Sequence, residues 1–176
     1  MARGAGWDVT VIGPEEAVEA AQPPQAGGES LAAYVQRLAR AKAEAVVATG
    51  VEGMVVACDT LGEVEGAVLG KPADAADARR MLLALSGRRH RVLTGVCVWD
   101  RPHGRPREAV AESLLEMAPL SDDVLDWYLA SGLWRGKAGA CGFQDERLPL
   151  TLVAGSPSNV VGLPLELLRE LLREVG

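Results

Sequence analysis

The run MVVACDT, residues 54–60, decides the fold class. Its first five residues are apolar, too few for a helix of their own, and read as a short buried strand ending at Asp59 and Thr60. Before it, Ser30 has the chemistry of an N-cap for a helix over about 30–49. Leu31, Tyr34, Val35, Leu38 and Val46 form that helix's apolar face, and Gly50 stops it. After the run, LGEV (61–64), Glu65 with Gly66, and AVLG (67–70) spell a hairpin. Residues 73–85 then read as a second helix, closed by Ser86 and Gly87.

Working outward, WDVTVI (7–12) has a strand pattern, and 13–28, rich in Gly, Pro, Ala and Glu, reads as a loop. Residues 90–99 and 107–117 are strand candidates joined by the turn RPHGR. Ser121 caps a helix with Asp122 and Asp123 in its first turn, where the helix dipole favours them, and that helix ends near Gly132. The segment 147–154 reads as a strand, and Pro164 opens a last helix, LELLRELLREV. Strands and helices mix without strict alternation, which predicts an α/β fold with a mixed sheet flanked by helices.

The composition narrows the function classes. A chain of 176 residues with 48% hydrophobic and 24% charged residues has enough apolar surface for one self-sufficient domain. Its longest apolar runs fall far short of the ~20 residues that span a bilayer, so a soluble, cytoplasmic protein without a membrane partner is expected. A net charge of −6 argues against coating a nucleic-acid polymer. Cys58, Cys97 and Cys141 lack C-x-x-C spacing and read as free thiols, two of them in apolar runs.

Few residues are placed to carry chemistry. Asp59, at the carboxyl end of an apolar strand, is placed to hold Mg²⁺ or activate water, or else to cap a turn. Lys71 in GAVLGKP fails the phosphate-loop count, because only three residues separate Gly66 and Gly70 and Pro72 replaces the hydroxyl. It remains a lysine near the same strand end, or a plain surface lysine. Lys42, by helical period alone, reads as solvated. In the basic run Arg88, Arg89, His90 and Arg91, strand alternation lets at most half meet one ligand. Gly139 and Gly142 are spaced for close backbone approach, and Gln144 offers the donor and acceptor that read a base edge. GSPSN (155–159) departs from a serine nucleophile elbow at Pro157 and Asn159.

Taken together, five blocks in register carry a resemblance: VVACDT (55–60), LGKP (69–72), AxxMLxxLSGRxHxVLTGV (78–96), KAGACGFQ (137–144) and SPSNVVGLP (156–164). The chain resembles the Maf family of nucleoside triphosphate pyrophosphatases from Lys42 to Pro164. The resemblance implies a mixed, strongly curved sheet with two lobes around a central cleft, in a homodimer. The implied activity is hydrolysis of a nucleoside triphosphate, preferentially dTTP or UTP, to the monophosphate and pyrophosphate. A divalent cation, Mg²⁺ or Mn²⁺, is the implied cofactor. Asp59 and Lys71 match the family's catalytic positions, with Asp59 serving as general base or metal ligand. Lys42, Thr60, Lys137 and Gln144 are the implied substrate-binding residues. The metal-binding glutamate falls among Glu15, Glu16, Glu19 and Glu29, with Glu19 preferred and Glu16 the alternative.

The block L-A-S-x-S-P-R-R that opens the family has no counterpart here, so a single Maf-like domain over 1–176 without the family's first strand and phosphate-binding loop is expected. Other readings stay open on the residues: a catalytically impaired nucleotide-binding or division-linked regulatory protein on the same fold, a 7-methyl-GTP-type pyrophosphatase, or a generic carboxylate–Mg²⁺ phosphate-ester hydrolase.

Overall fold

A computed structural model of the chain describes residues 7–12, 23 and 25–175. Ser30 caps helix α1 (Leu31–Val47), its hydroxyl accepting from the Ala33 N–H at 3.1 Å. Strand β1 (Gly53–Val64) and the short β2 (Ala67–Leu69) form the expected hairpin, with Gly62 opposite Leu69 and Val64 opposite Ala67. Asp74 caps α2 (Ala75–Leu85), accepting from the Asp77 N–H at 2.8 Å. Strands β3 (Arg89–Arg101) and β4 (Arg107–Met117) follow, and then α3 (Asp122–Ser131), capped by Ser121. A 3₁₀ turn at Ala138–Ala140 leads to β5 (Leu150–Ala154), the one-turn helix α4 (Pro157–Val160) and α5 (Leu165–Val175).

Among the described residues the strands make one five-stranded sheet in the order β2-β1-β3-β4-β5. Its strands lie antiparallel, with Met117 opposite Leu150 at the β4–β5 end. The α/β class is as expected, but the orientation is narrower than the mixed sheet. Short connections such as 102–106 between β3 and β4 are long enough to reverse a chain and too short for a parallel crossover.

Three further differences have physical reasons. The segment 7–12 is not part of this sheet: Val11 and Ile12 are 83% and 42% exposed, so the alternation of WDVTVI buries little that would hold a strand. Trp7 instead packs beside Leu168 and Leu171 of α5, with the Arg169 guanidinium 5.9 Å from its ring. Secondly, β1 runs on through Asp59, so this aspartate sits within a strand rather than at its end. The apolar run stops at Cys58, but Thr60, Leu61 and Gly62 keep an extended ladder going. Thirdly, the sequence reading missed α4, where the Ser156 hydroxyl accepts from the Asn159 N–H at 3.2 Å.

The chain divides into two compact units, one comprising Met1–Asp59, Thr94–Ala111 and Gly162–Gly176, the other Thr60–Leu93 and Glu112–Val161. In the first, the small residues Ala39 and Ala43 of α1 pack against Val55 and Cys97, while Val96 and Val98 meet Leu168 and Leu171. In the second, Met81, Leu82 and Leu85 of α2 pack with Val64, Leu69, Met117, Leu125, Tyr128 and Trp134. No helix among the described residues is long and apolar enough to cross a membrane.

Candidate active site

The site begins with how α1 lies on the sheet. Gly95 of β3 faces the backbone of α1: a Cβ there would stand 2.4 Å from the Val35 carbonyl oxygen and 2.8 Å from the Gln36 nitrogen. Only glycine permits that approach. The buried stripe Leu31, Val35 and Leu38 continues at the same spacing to Lys42, whose stem therefore follows the buried face. Its Nζ donates to Asp59 Oδ1. The two side chains retain 16% and 3% of their exposure, so this is a largely desolvated ion pair. Helical period alone reads Lys42 as solvated, and that part of the reading is corrected: its side chain lies on the buried face.

Cys58 adjoins this pair on β1. Burial pushes its thiol up to about 12; the nearby Lys42 charge opposes that shift and Asp59 adds to it. A thiol so rarely ionised is no nucleophile at neutral pH.

In the other unit, Lys71 and Gln144 are both exposed, and Thr60 is half-buried directly after Asp59. The turn preceding Lys71 is fixed through its backbone, since the Gly139 N–H donates to the Gly70 carbonyl at 2.9 Å. Lys137 Nζ contacts Asp145, at 2.8 Å from Oδ1 and 2.6 Å from Oδ2. The basic run is spent on structure. Arg88 donates to the Ala84 carbonyl, Arg89 to Glu116 and Arg91 to Glu63, while His90 is buried.

Glu15, Glu16 and Glu19 lie outside the described residues. Glu29 is described and committed elsewhere: its carboxylate accepts from Arg37 Nε and an Arg37 terminal nitrogen, each at 3.0 Å. Among the described residues no group of three or more His, Cys, Asp and Glu is clustered to hold a metal. Asp59 offers the hard carboxylate oxygen that Mg²⁺ accepts, and Mg²⁺ is commonly bound by one or two carboxylates with water and substrate oxygens in its remaining positions.

Residues 2–175 match the protein family described as "Maf-like protein". The chain belongs to the Maf-like family. It is 51% identical over 155 residues to a dTTP/UTP pyrophosphatase of Anaeromyxobacter sp. (strain Fw109-5), covering 85% of this chain and 73% of that protein. A dTTP/UTP pyrophosphatase of Rhodopirellula baltica is 42% identical over 169 residues, covering 96% and 73%. A third, from Pyrococcus horikoshii, is 40% identical over 135 residues, covering 76% and 72%.

Asp145 and Tyr128 were missed by the sequence reading. The available signal was a lysine and an aspartate of opposite charge flanking one Gly-rich loop, KAGACGFQD.

Proposed function

We propose that this Maf-like protein is a nucleoside triphosphate pyrophosphatase that converts dTTP or UTP to the monophosphate and pyrophosphate. The observation that carries the reading is the buried Lys42–Asp59 pair, in a chain whose relatives bear that activity in their names. A carboxylate held in place by an ammonium group inside a packed helix–strand contact is preorganised, so little reorganisation is needed when charge develops.

In the proposed reaction a water molecule attacks the α-phosphorus in line. A bond forms from the water oxygen to phosphorus, and the bond to the β-phosphate bridging oxygen breaks. Asp59 accepts the water's proton, and pyrophosphate leaves with the bonding electrons. Lys42 keeps the carboxylate oriented and, with Lys71, offsets charge on the phosphates. Thr60 and Gln144 select the base. Asp59, with Glu19, would also hold the divalent cation that accompanies the triphosphate, and that cation supplies charge neutralisation on the phosphate oxygens. A homodimer working in the cytoplasm belongs to the same proposal.

The test is a pyrophosphate-release assay with Mg²⁺ or Mn²⁺ over the common nucleoside triphosphates, on the wild type and on Asp59→Asn and Lys71→Ala. Pyrophosphate from UTP and dTTP, lost in Asp59→Asn while the circular-dichroism spectrum is kept, supports the reading. Orthophosphate as the first product, or full activity in Asp59→Asn, overturns it.

A further inference from the structure

The loop that carries Gln144 ends in a polar cluster that the proposed reaction does not use. Asp145 Oδ1 accepts from Lys137 Nζ at 2.8 Å, and Oδ2 accepts from Lys137 Nζ at 2.6 Å. Oδ2 also accepts from the Tyr128 hydroxyl at 2.6 Å and from the Gly142 N–H at 2.9 Å. The aspartate side chain keeps 13% of its exposure, and Tyr128, reaching in from α3, is fully buried. Burial, and then the Asp145 hydrogen bond, push the phenol upward, so it remains a proton donor.

The Lys137–Asp145 pair lies directly over Gly142: a Cβ there would come within 2.7 Å of Asp145 Oδ2 and 2.8 Å of Lys137 Nζ, so a side chain at 142 would have to push the two charged ends aside. The main chain closes the same corner, with the Asp145 N–H donating to the Gly142 carbonyl at 3.1 Å. At the loop's other end, the Gly139 N–H holds the Gly70 carbonyl at 2.9 Å. Gly70 directly precedes Lys71, and Asp145 directly follows Gln144. Each of these substrate candidates is thus one peptide bond from an anchor of the same loop.

We propose that Asp145 is a positioning residue: gripped by Lys137, Tyr128 and Gly142, it locks the loop 137–145 so that Gln144 and Lys71 keep one relative placement, which sets how strictly the nucleotide base is selected. Lys137 then serves the loop and not the phosphates. This inference rests on the pyrophosphatase reading for its substrate. Charge-assisted bonds of this kind, shielded from water, are costly to leave half made, which is why a neutral replacement should loosen the loop.

The experiment compares the wild type with Asp145→Asn, Tyr128→Phe, Lys137→Met and Lys137→Arg. It reads kcat and KM for UTP, dTTP, CTP and GTP, together with deuterium uptake by peptides covering 137–145 and 66–72. In Asp145→Asn, KM for UTP rises about tenfold or more while kcat changes by less than about threefold, the pattern of lost positioning rather than lost chemistry. Preference for UTP over CTP falls with it. Both loop peptides exchange faster, while α1 keeps its wild-type protection. Tyr128→Phe repeats the effect in milder form without removing ring volume, and serves if Asp145→Asn does not fold. Lys137→Arg retains more of the UTP preference than Lys137→Met.

Unchanged KM and base preference in the folded variants, or protection lost evenly along the chain, would overturn the proposal. A wild type that hydrolyses none of the four nucleotides sinks the pyrophosphatase reading instead. Deuterium uptake by the loop then still decides whether Asp145 locks it.

Discussion

Lys42 of α1 and Asp59 of β1 meet as an ion pair inside the packed face between that helix and its sheet, with the carboxylate almost wholly out of water. Removing one partner leaves the other charged and buried. Asp59→Asn and Lys42→Met should each cost about 3–5 kcal/mol if the remaining group stays in place. The double variant should lose less than the sum, which a double-mutant cycle by urea unfolding measures. Strict additivity of the two losses would show that the pair is not coupled.

Gly95 makes the closeness of α1 and β3 possible. Gly95→Ala places a methyl group 2.4 Å from the Val35 carbonyl oxygen, a backbone atom that cannot rotate away. The helix must lift, and overpacking of this kind costs roughly 1–3 kcal/mol or more. Because Lys42 rides on the same helix, turnover should fall along with the melting temperature. A variant with wild-type stability would show that α1 does not press on β3 at this point.

Much of this was legible in the sequence. Helix ends were written in Ser30, Ser121 and Gly132, whose caps depend on short-range chemistry. The β1–β2 hairpin was spelled by Glu65 and Gly66 between apolar stretches. Period alone makes Lys42 a solvated lysine, yet it lies four residues after Leu38 and four before Val46, on the apolar stripe itself. What could not be read was pairing between distant residues. Tyr128 and Asp145 are 17 positions apart, and nothing local in either tells that a phenol meets a carboxylate. The strand pattern at 7–12 misled because alternation reports a face that can be buried, not a face that is.

His90 gives the fold a pH dependence with a definite sign. Burial lowers its pKa from 6.5, against a smaller opposing hydrogen bond with the Arg88 backbone. The unfolded chain therefore takes up this proton first as pH falls. The stabilisation is complete above 6.5 and is lost as pH drops from there toward the lowered folded value. Glu63, lowered from 4.5, acts in a separate and more acidic window. Urea midpoints should fall between about pH 7.5 and 5.5, and His90→Gln should flatten that slope. A slope unchanged by the substitution contradicts the assignment.

The cysteines should be inert in the folded protein. Burial pushes Cys58 and Cys141 up to about 12 and Cys97 up to about 11. The thiolate fraction at neutral pH then falls by roughly a hundredfold to a thousandfold, and labelling by a thiol reagent should slow at least as much relative to the unfolded chain. Turnover should survive brief exposure to such a reagent. Rapid labelling of Cys58 with loss of activity would reopen a thiol mechanism.

The central claim, that water held beside Asp59 attacks the α-phosphorus of a nucleoside triphosphate, is tested most directly by the fate of the water oxygen. UTP is incubated with the protein and a divalent cation in ¹⁸O-labelled water, and the products are weighed by mass spectrometry. The account predicts one ¹⁸O in UMP and none in the pyrophosphate. Label in the pyrophosphate, or labelled orthophosphate released alongside UDP, would contradict it.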